Sequence, residues 1–340
     1  MPPATESSTP VRQDAAAPAR PAGPGRAVAV LVLVALAALI PLLGPRAALH
    51  GTGEAAAPGT GGISLLRTVL FAALSVQAGE LFAGFLARRT APELRAPRRW
   101  SAYAAWAGFA AALGLAAVVA AGNLIPSGLG DLDVGGLYGT RDGTLALLEV
   151  NAFLVAALCA RSSRPGRALL PLAAVVVAEA LRAHPPTEDS ALLGSGLTLV
   201  HLTCASLWVG GLLYALRTLR AWRACDPGAG TALLSRYARV AALLLAALTA
   251  TGLCSTLRRM PPGTVLDQLT GTAYGRTLLA KVLLVAVVAG LALAARLRLG
   301  RDGARLRTRA YVPARAEVVV LGAVVAVSAV LTAVPLPIRW

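Results

Sequence analysis

The sequence predicts an all-α fold: a polytopic membrane helix bundle of about nine transmembrane helices, with the N-terminus in the cytoplasm. Three observations carry this. Of 340 residues, 56% are hydrophobic and only 14% are charged, where a soluble domain carries about 25% charged residues. The apolar residues gather in blocks near the roughly 20 residues that a helix needs to cross a bilayer. The arginines collect in alternate connections between those blocks, as the positive-inside rule requires. A mean hydropathy of +0.67 agrees.

The blocks, in order, are Ala27–Leu43, Ile63–Ala87, Ser101–Ala121, Gly143–Ala160, Ala168–Ala183, Ala191–Leu216, Tyr237–Thr256, Thr272–Ala295 and Ala316–Val334. They are too long for barrel strands, and an open sheet would leave its edge amides unpaired in lipid, so each block reads as a helix. Residues 1–26 are rich in Pro, Ala, Ser and Thr. They lack the apolar residues to bury a core and are expected to be a disordered tail. The first block is longer than a signal-peptide core and follows a long leader, so it is expected to remain as a helix.

Orientation follows from the connections. Arg88, Arg89, Arg95, Arg98 and Arg99 follow the second block; Arg161, Arg164 and Arg167 the fourth; Arg217, Arg220 and Arg223 the sixth. Arg296, Arg298, Arg301, Arg305, Arg307 and Arg309 follow the eighth. The alternate connections hold Asp131 and Asp133, then Glu188 and Asp189. Arg258 and Arg259 are exceptions on the expected outer side. The net charge of +16 therefore orients the chain and meets lipid headgroups. It does not indicate a nucleic-acid partner. No P-loop, dinucleotide fingerprint or HExxH motif is present, so neither a nucleotide cofactor nor enzymatic activity is expected. Cys159, Cys204, Cys225 and Cys254 show no CxxC or zinc-ribbon spacing, and a disulfide framework is not indicated.

Ionisable groups inside a membrane are expensive, so each is a candidate for function. In the sixth block His201 and Cys204 are three residues apart and share a helical face with Trp208 and Gly211. An imidazole and a thiol together suit a soft metal such as Cu(I). The alternative is a histidine hydrogen-bonded to a neighbouring helix beside a buried cysteine. His184 ends the fifth block at the outer surface and His50 lies in the first outer loop; with His201 in the outer half of the sixth block they are placed to form an entry path from outside toward the membrane interior. Glu80, one turn from Gln77, and Glu149, two residues from Asn151, are candidates for a proton or ion relay, or for polar contacts between helices. Glu179 and Arg182 are spaced to pair on one helix face. Lys281 sits near a helix end, from which its ammonium group can snorkel to the interface.

Several ordered motifs give the second half a family resemblance. Ala183-His184 is followed by His201 and by Trp208-Val209-Gly210-Gly211-Leu212. The next block opens with Arg236-Tyr237-Ala238 and ends with Thr251-Gly252. Then come Thr272-Ala273-Tyr274-Gly275-Arg276 through Lys281, and finally Arg315-Ala316-Glu317. This arrangement resembles the copper resistance protein D family over about residues 180–337. It departs from the family pattern at Ala183-His184-Pro185 and at Ala295-Arg296. On the resemblance the chain divides into the tail at 1–26, N-terminal transmembrane helices at 27–175 and a copper resistance protein D-like transmembrane domain at 176–340.

The resemblance implies a multi-pass protein of the bacterial cytoplasmic membrane that takes up copper in connection with copper homeostasis and resistance. Copper is then the bound or transported ion. Membrane lipid, and a separate secreted copper-binding protein, are the implied partners. His201, His184 and Cys204 become the metal candidates. Trp208, Tyr274, Lys281 and Glu317 are motif positions without an assigned role. Two other readings stay open: a membrane redox protein holding haem, which needs two histidines facing each other at similar depth, and an assembly or sensor subunit that transports nothing.

Overall fold

The computed structural model describes residues 24–162, 164–188, 190–301 and 311–336, and every regular element among them is helical. All nine apolar blocks fall on helices. These are α1 (Pro24–Leu49), α2 (Thr60–Thr90), α3 (Ser101–Ala120), α5 (Arg141–Ala160), α6 (Leu169–Arg182), α7 (Ala191–Trp222), α8 (Pro227–Arg259), α10 (Ala273–Arg301) and α11 (Tyr311–Leu331). Two short helices in the connections, α4 (Val134–Gly139) and α9 (Val265–Gly271), were not expected from the sequence. The tail expected over 1–26 lies, up to residue 23, outside the described residues.

Six helices among the described residues are long and apolar enough to cross a membrane: α2, α3, α5, α7, α8 and α10 over Ala273–Ala294. The apolar stretches Ala37–Leu49 of α1 and Val318–Leu331 of α11 are shorter. With 32 and 33 residues, α7 and α8 are each about 48 Å long, beyond the roughly 30 Å hydrocarbon thickness. Their charged ends therefore extend the helices past the apolar blocks that announce them.

Side-chain caps fix several starts. Thr140 Oγ1 accepts from Gly143 N at 3.1 Å to open α5. Asp226 Oδ1 accepts from Ala229 N at 2.9 Å, and Pro227 occupies the first turn of α8. Both arrangements satisfy amides that have no intrahelical partner.

From Ala37 onward the chain forms one compact unit. Helix α2 is at its centre and packs on α7, α3, α11, α8 and α6. Its tightest contact is with α7. A Cβ added at Gly79 would overlap the backbone of Gly210, and one added at Gly210 would overlap the carbonyl group of Ser75. The two backbones meet with nothing between them, the use that small residues serve at membrane helix crossings. The neighbouring Gly211 faces the Tyr237 ring and Phe82. The Tyr237 hydroxyl donates to Trp208 O at 2.5 Å, tying α8 to the same turn of α7. Trp208, Leu212, Tyr237, Leu248 and Val288 form one apolar cluster around it.

The crossing makes a selective forecast. Gly210→Ala places a methyl group into the Ser75 carbonyl and is expected to destabilise the protein by about 1–3 kcal/mol. Gly196→Ala, on the same helix with nothing within 4 Å, is expected to be neutral. Thermal unfolding in detergent and accumulation in membranes compare the two. Equal behaviour of the pair counts against a backbone-limited crossing.

Candidate functional site

His201 is on α7, a third of the way along the helix. Its ring is held by two side chains from different helices. Nδ1 lies 2.9 Å from Thr251 Oγ1 on α8. Nε2 lies 3.4 Å from Lys281 Nζ on α10. Thr251 has one hydroxyl proton, which is directed at Ala247 O at 2.7 Å. Its oxygen therefore accepts, and Nδ1 is the protonated nitrogen. That leaves the Nε2 lone pair toward the lysine. Lys281, the single lysine of the chain, does not snorkel to the interface as expected but turns inward to the imidazole. Gly252 keeps α8 open beside the ring: a Cβ there would come within 3.6 Å of His201 Cε1.

Cys204 lies one turn further along α7, partly buried against the cluster that holds Trp208. All four cysteines are free. No group of three or more His, Cys, Asp and Glu side chains suited to a metal ion occurs among the described residues. The site thus offers His201 and, on the same helix, Cys204.

His184 is elsewhere and differently made. The sequence suggested a surface histidine, but the residue is only 4% exposed. Nδ1 is 2.7 Å from Glu188 Oε2 and Nε2 is 3.0 Å from Thr198 Oγ1. Glu188 also meets Arg258 at 3.4 Å, and Arg258 donates to Ser190 O at 3.2 Å. Residues 184–188 and Ser190 are thereby held over the ends of α7 and α8. Thr198 is three residues before His201, so this layer sits one turn, about 5 Å, beyond the His201 layer. His50 does not join them; it is exposed, and its carbonyl accepts from Arg276 Nη1 at 2.6 Å.

The carboxylates are engaged. Glu80 Oε1 accepts from Trp100 N at 2.7 Å and Oε2 from Ser101 N at 3.0 Å, which places an anion on the N-terminus of α3. Arg217 of α7 donates to the same carboxylate at 2.7 Å, stacks 3.7 Å from the Trp100 ring centroid and reaches Arg98 O. Glu149 is fully buried on α5, 3.0 Å from Arg182, which is 3.6 Å from Glu179; Arg67 of α2 is 3.6 Å from Glu179. Two acids and two bases from three helices form this quartet. Asn151 donates to Leu147 O on its own helix and takes no part.

The remaining motif positions are structural joints. Trp208 belongs to the α7–α8 packing. Tyr274 is buried beside Met260 and Val334, with Arg259 5.7 Å from its ring centroid. Gly275 permits α9 to turn tightly onto α10, since a Cβ would overlap the Gln268 carbonyl. Glu54 caps α10 through Ala273 N at 2.8 Å. Glu317 is on α11, but its side chain lies outside the described residues. Sequence reasoning counted Arg217 and Glu188 only as connection charges and did not name Thr198 or Glu54. Thr251 entered only as a motif letter. Arg217, Glu54 and Thr251 acquire their roles from partners distant in sequence, Thr198 and Glu188 from the nearby His184.

No curated protein and no solved structure is significantly similar to the chain. Residues 231–331 match the family model described as copper resistance protein D. The matched segment contains both partners of the His201 ring, Thr251 and Lys281, together with Tyr237 and Tyr274. Less than a third of the chain is thus similar to the copper resistance protein D family, in a protein with six helices long and apolar enough to cross a membrane among the described residues.

Proposed function

We propose that the protein takes up copper across the bacterial cytoplasmic membrane, and that copper binds at His201 Nε2 during passage. The observation that carries this reading is that the single imidazole clamped between three helices faces a cation, not a carboxylate or carbonyl. Lys281 fills with its own ammonium group the place where an incoming metal ion would sit. Neutral imidazole is a good copper ligand, and the thiol of Cys204 one turn away suits the reduced ion. His184, with both ring nitrogens engaged, belongs to a layer through which copper passes before His201, and becomes a ligand only when Glu188 or Thr198 releases it. All nine apolar helices cross in this reading, the 14-residue α6 included, with the N-terminus in the cytoplasm. The arginine-poor connections then face outside.

The topology is checked with reporter fusions after residues 95, 164 and 220, expected inside, and after 130, 188 and 265, expected outside. The same side for 188 and 220 removes α7 as a crossing helix, and the uptake path with it.

His201→Ala is expected to abolish copper uptake while the protein still accumulates, measured as cellular copper per unit of membrane-embedded protein. Lys281→Met removes the competing charge and is expected to tighten copper binding to the purified protein about tenfold or more, since two unit charges this close repel by several kcal/mol even at an effective dielectric of 20. Full normalised uptake by His201→Gln, which keeps a hydrogen bond to Thr251 but lacks the imidazole, would mean that the histidine is purely structural.

A further inference from the structure

A cleft of about 640 Å³ runs between α2, α6 and α7. It is separate from the His201 site. The α7 residues that line it, among them Thr203, Ser206 and Leu207, are on the face of the helix opposite His201. Its size is within the range of small-molecule sites. Leu81, Phe85, Leu172, Val176 and Leu207 make its walls almost wholly apolar.

Two features show that protein atoms alone do not complete the cleft. Gln77 and Ser206 both line it and are each only 2% exposed. Gln77 Oε1 and Ser206 Oγ have no hydrogen-bond partner. Buried polar atoms are almost always satisfied, so the space beside these two is filled in the working protein. The second feature is at the arginine-rich end, where Arg88 and Arg99 line the mouth. The Arg88 guanidinium is folded back along α2: a Cβ at Gly84 would be 3.6 Å from its Nη1 and 3.6 Å from Tyr214 Oη. The nearby carboxylate, Glu80, already holds Arg217 and the N-terminus of α3. Among the described residues neither Arg88 nor Arg99 has an ion-pair partner. The cleft therefore presents an apolar trough with two unpaired cations at one end.

We propose that this cleft is a binding site for an anionic phospholipid. The phosphate group sits between Arg88 and Arg99. One acyl chain lies in the trough along Phe85, Leu81 and Val176. The Ser206 hydroxyl and Gln77 Oε1 at its floor bond to enclosed water. A lipid held this way fills the space between α6 and the α2–α7 pair, so it acts as a structural element of the bundle.

The test uses the full-length protein, purified and delipidated in detergent, with phosphatidylglycerol, phosphatidylcholine and inorganic phosphate as probes. Native mass spectrometry counts bound lipid and thermal unfolding reads stabilisation. Phosphatidylglycerol is expected to bind at one site and raise the unfolding temperature; phosphatidylcholine should bind far more weakly and phosphate not at all. Each of Arg88→Gln and Arg99→Gln should weaken phosphatidylglycerol binding about fivefold, the effect of roughly 1 kcal/mol per arginine. Arg220→Gln, away from the cleft, should leave it unchanged. Val177→Trp, at a lining residue that is 38% exposed, fills the trough and should abolish the bound lipid without lowering the unfolding temperature of the delipidated protein. Equal binding of the two lipids, unchanged phosphatidylglycerol binding by the Arg88→Gln/Arg99→Gln double variant, or stabilisation by phosphate alone would each overturn the proposal. The readout involves no copper, so failure here and failure of the His201 reading are independent.

Discussion

The contact of Gly79 with Gly210 is the constraint from which the rest of the bundle takes its positions. With no side chain between them, the backbones of α2 and α7 are fixed in distance and, because Ser75 O abuts Gly210, also in register. Gly211, one residue on, turns to the other side and admits the Tyr237 ring. One turn of α7 thus locks α2 on one face and α8 on the other. Glu80 follows Gly79 directly, so the same crossing presents its carboxylate to Arg217 and to the start of α3. A small shift at the glycines would break a buried ion pair and a helix cap together. Breaking a buried ion pair is costly because the partner is left charged and unpaired.

That arrangement explains why most intramembrane charge here is unavailable for chemistry. Glu80 neutralises Arg217. Glu149 and Glu179 lie against Arg67 and Arg182. His184 is spent on Glu188 and Thr198. In each case an acid faces a base or a hydrogen-bond donor, which is what holding helices together in lipid requires. The His201–Lys281 pair is different in kind. A nitrogen lone pair faces a cation, with no anion in contact. The arrangement is satisfied as it stands, yet a different cation could replace the one supplied by the protein. Ionisable type alone does not reveal this difference; what the partner carries does.

The helices were legible because lipid forces each crossing segment to be long, apolar and helical, and such runs stand out in one dimension. The helix ends were less legible, since α7 and α8 continue through charged turns that hydropathy reads as loops. The short α4 and α9 were missed because each is built from few residues, α4 opened by the Asp133 cap and α9 packed against Gly275. Of the site, His201 and Cys204 could be found because a histidine and a cysteine on one face of an apolar helix are rare. Their surroundings could not. Thr251 is 50 residues away and Lys281 80, and nothing local to either indicates that it meets His201. The same distance in sequence hid the partnership of Glu80 with Arg217, 137 residues apart, so a carboxylate that reads as a relay candidate is found capping a helix.

The matched segment, residues 231–331, contributes the hydroxyl and the ammonium group that face the imidazole but not the imidazole itself. His201 precedes it on α7, and α7 is placed by α2, which belongs to the half of the chain without recognisable motifs. The family segment cannot therefore assemble the site alone. It supplies two walls, and the register of the third is set by a glycine pair, one member of which lies 122 residues before His201. The charged quartet of α2, α5 and α6 and the Glu80 clamp hold α2 in turn. On this geometry the N-terminal helices act at a distance on the His201 ring: they decide where α7 stands, and so whether His201 meets Thr251 and Lys281 at all.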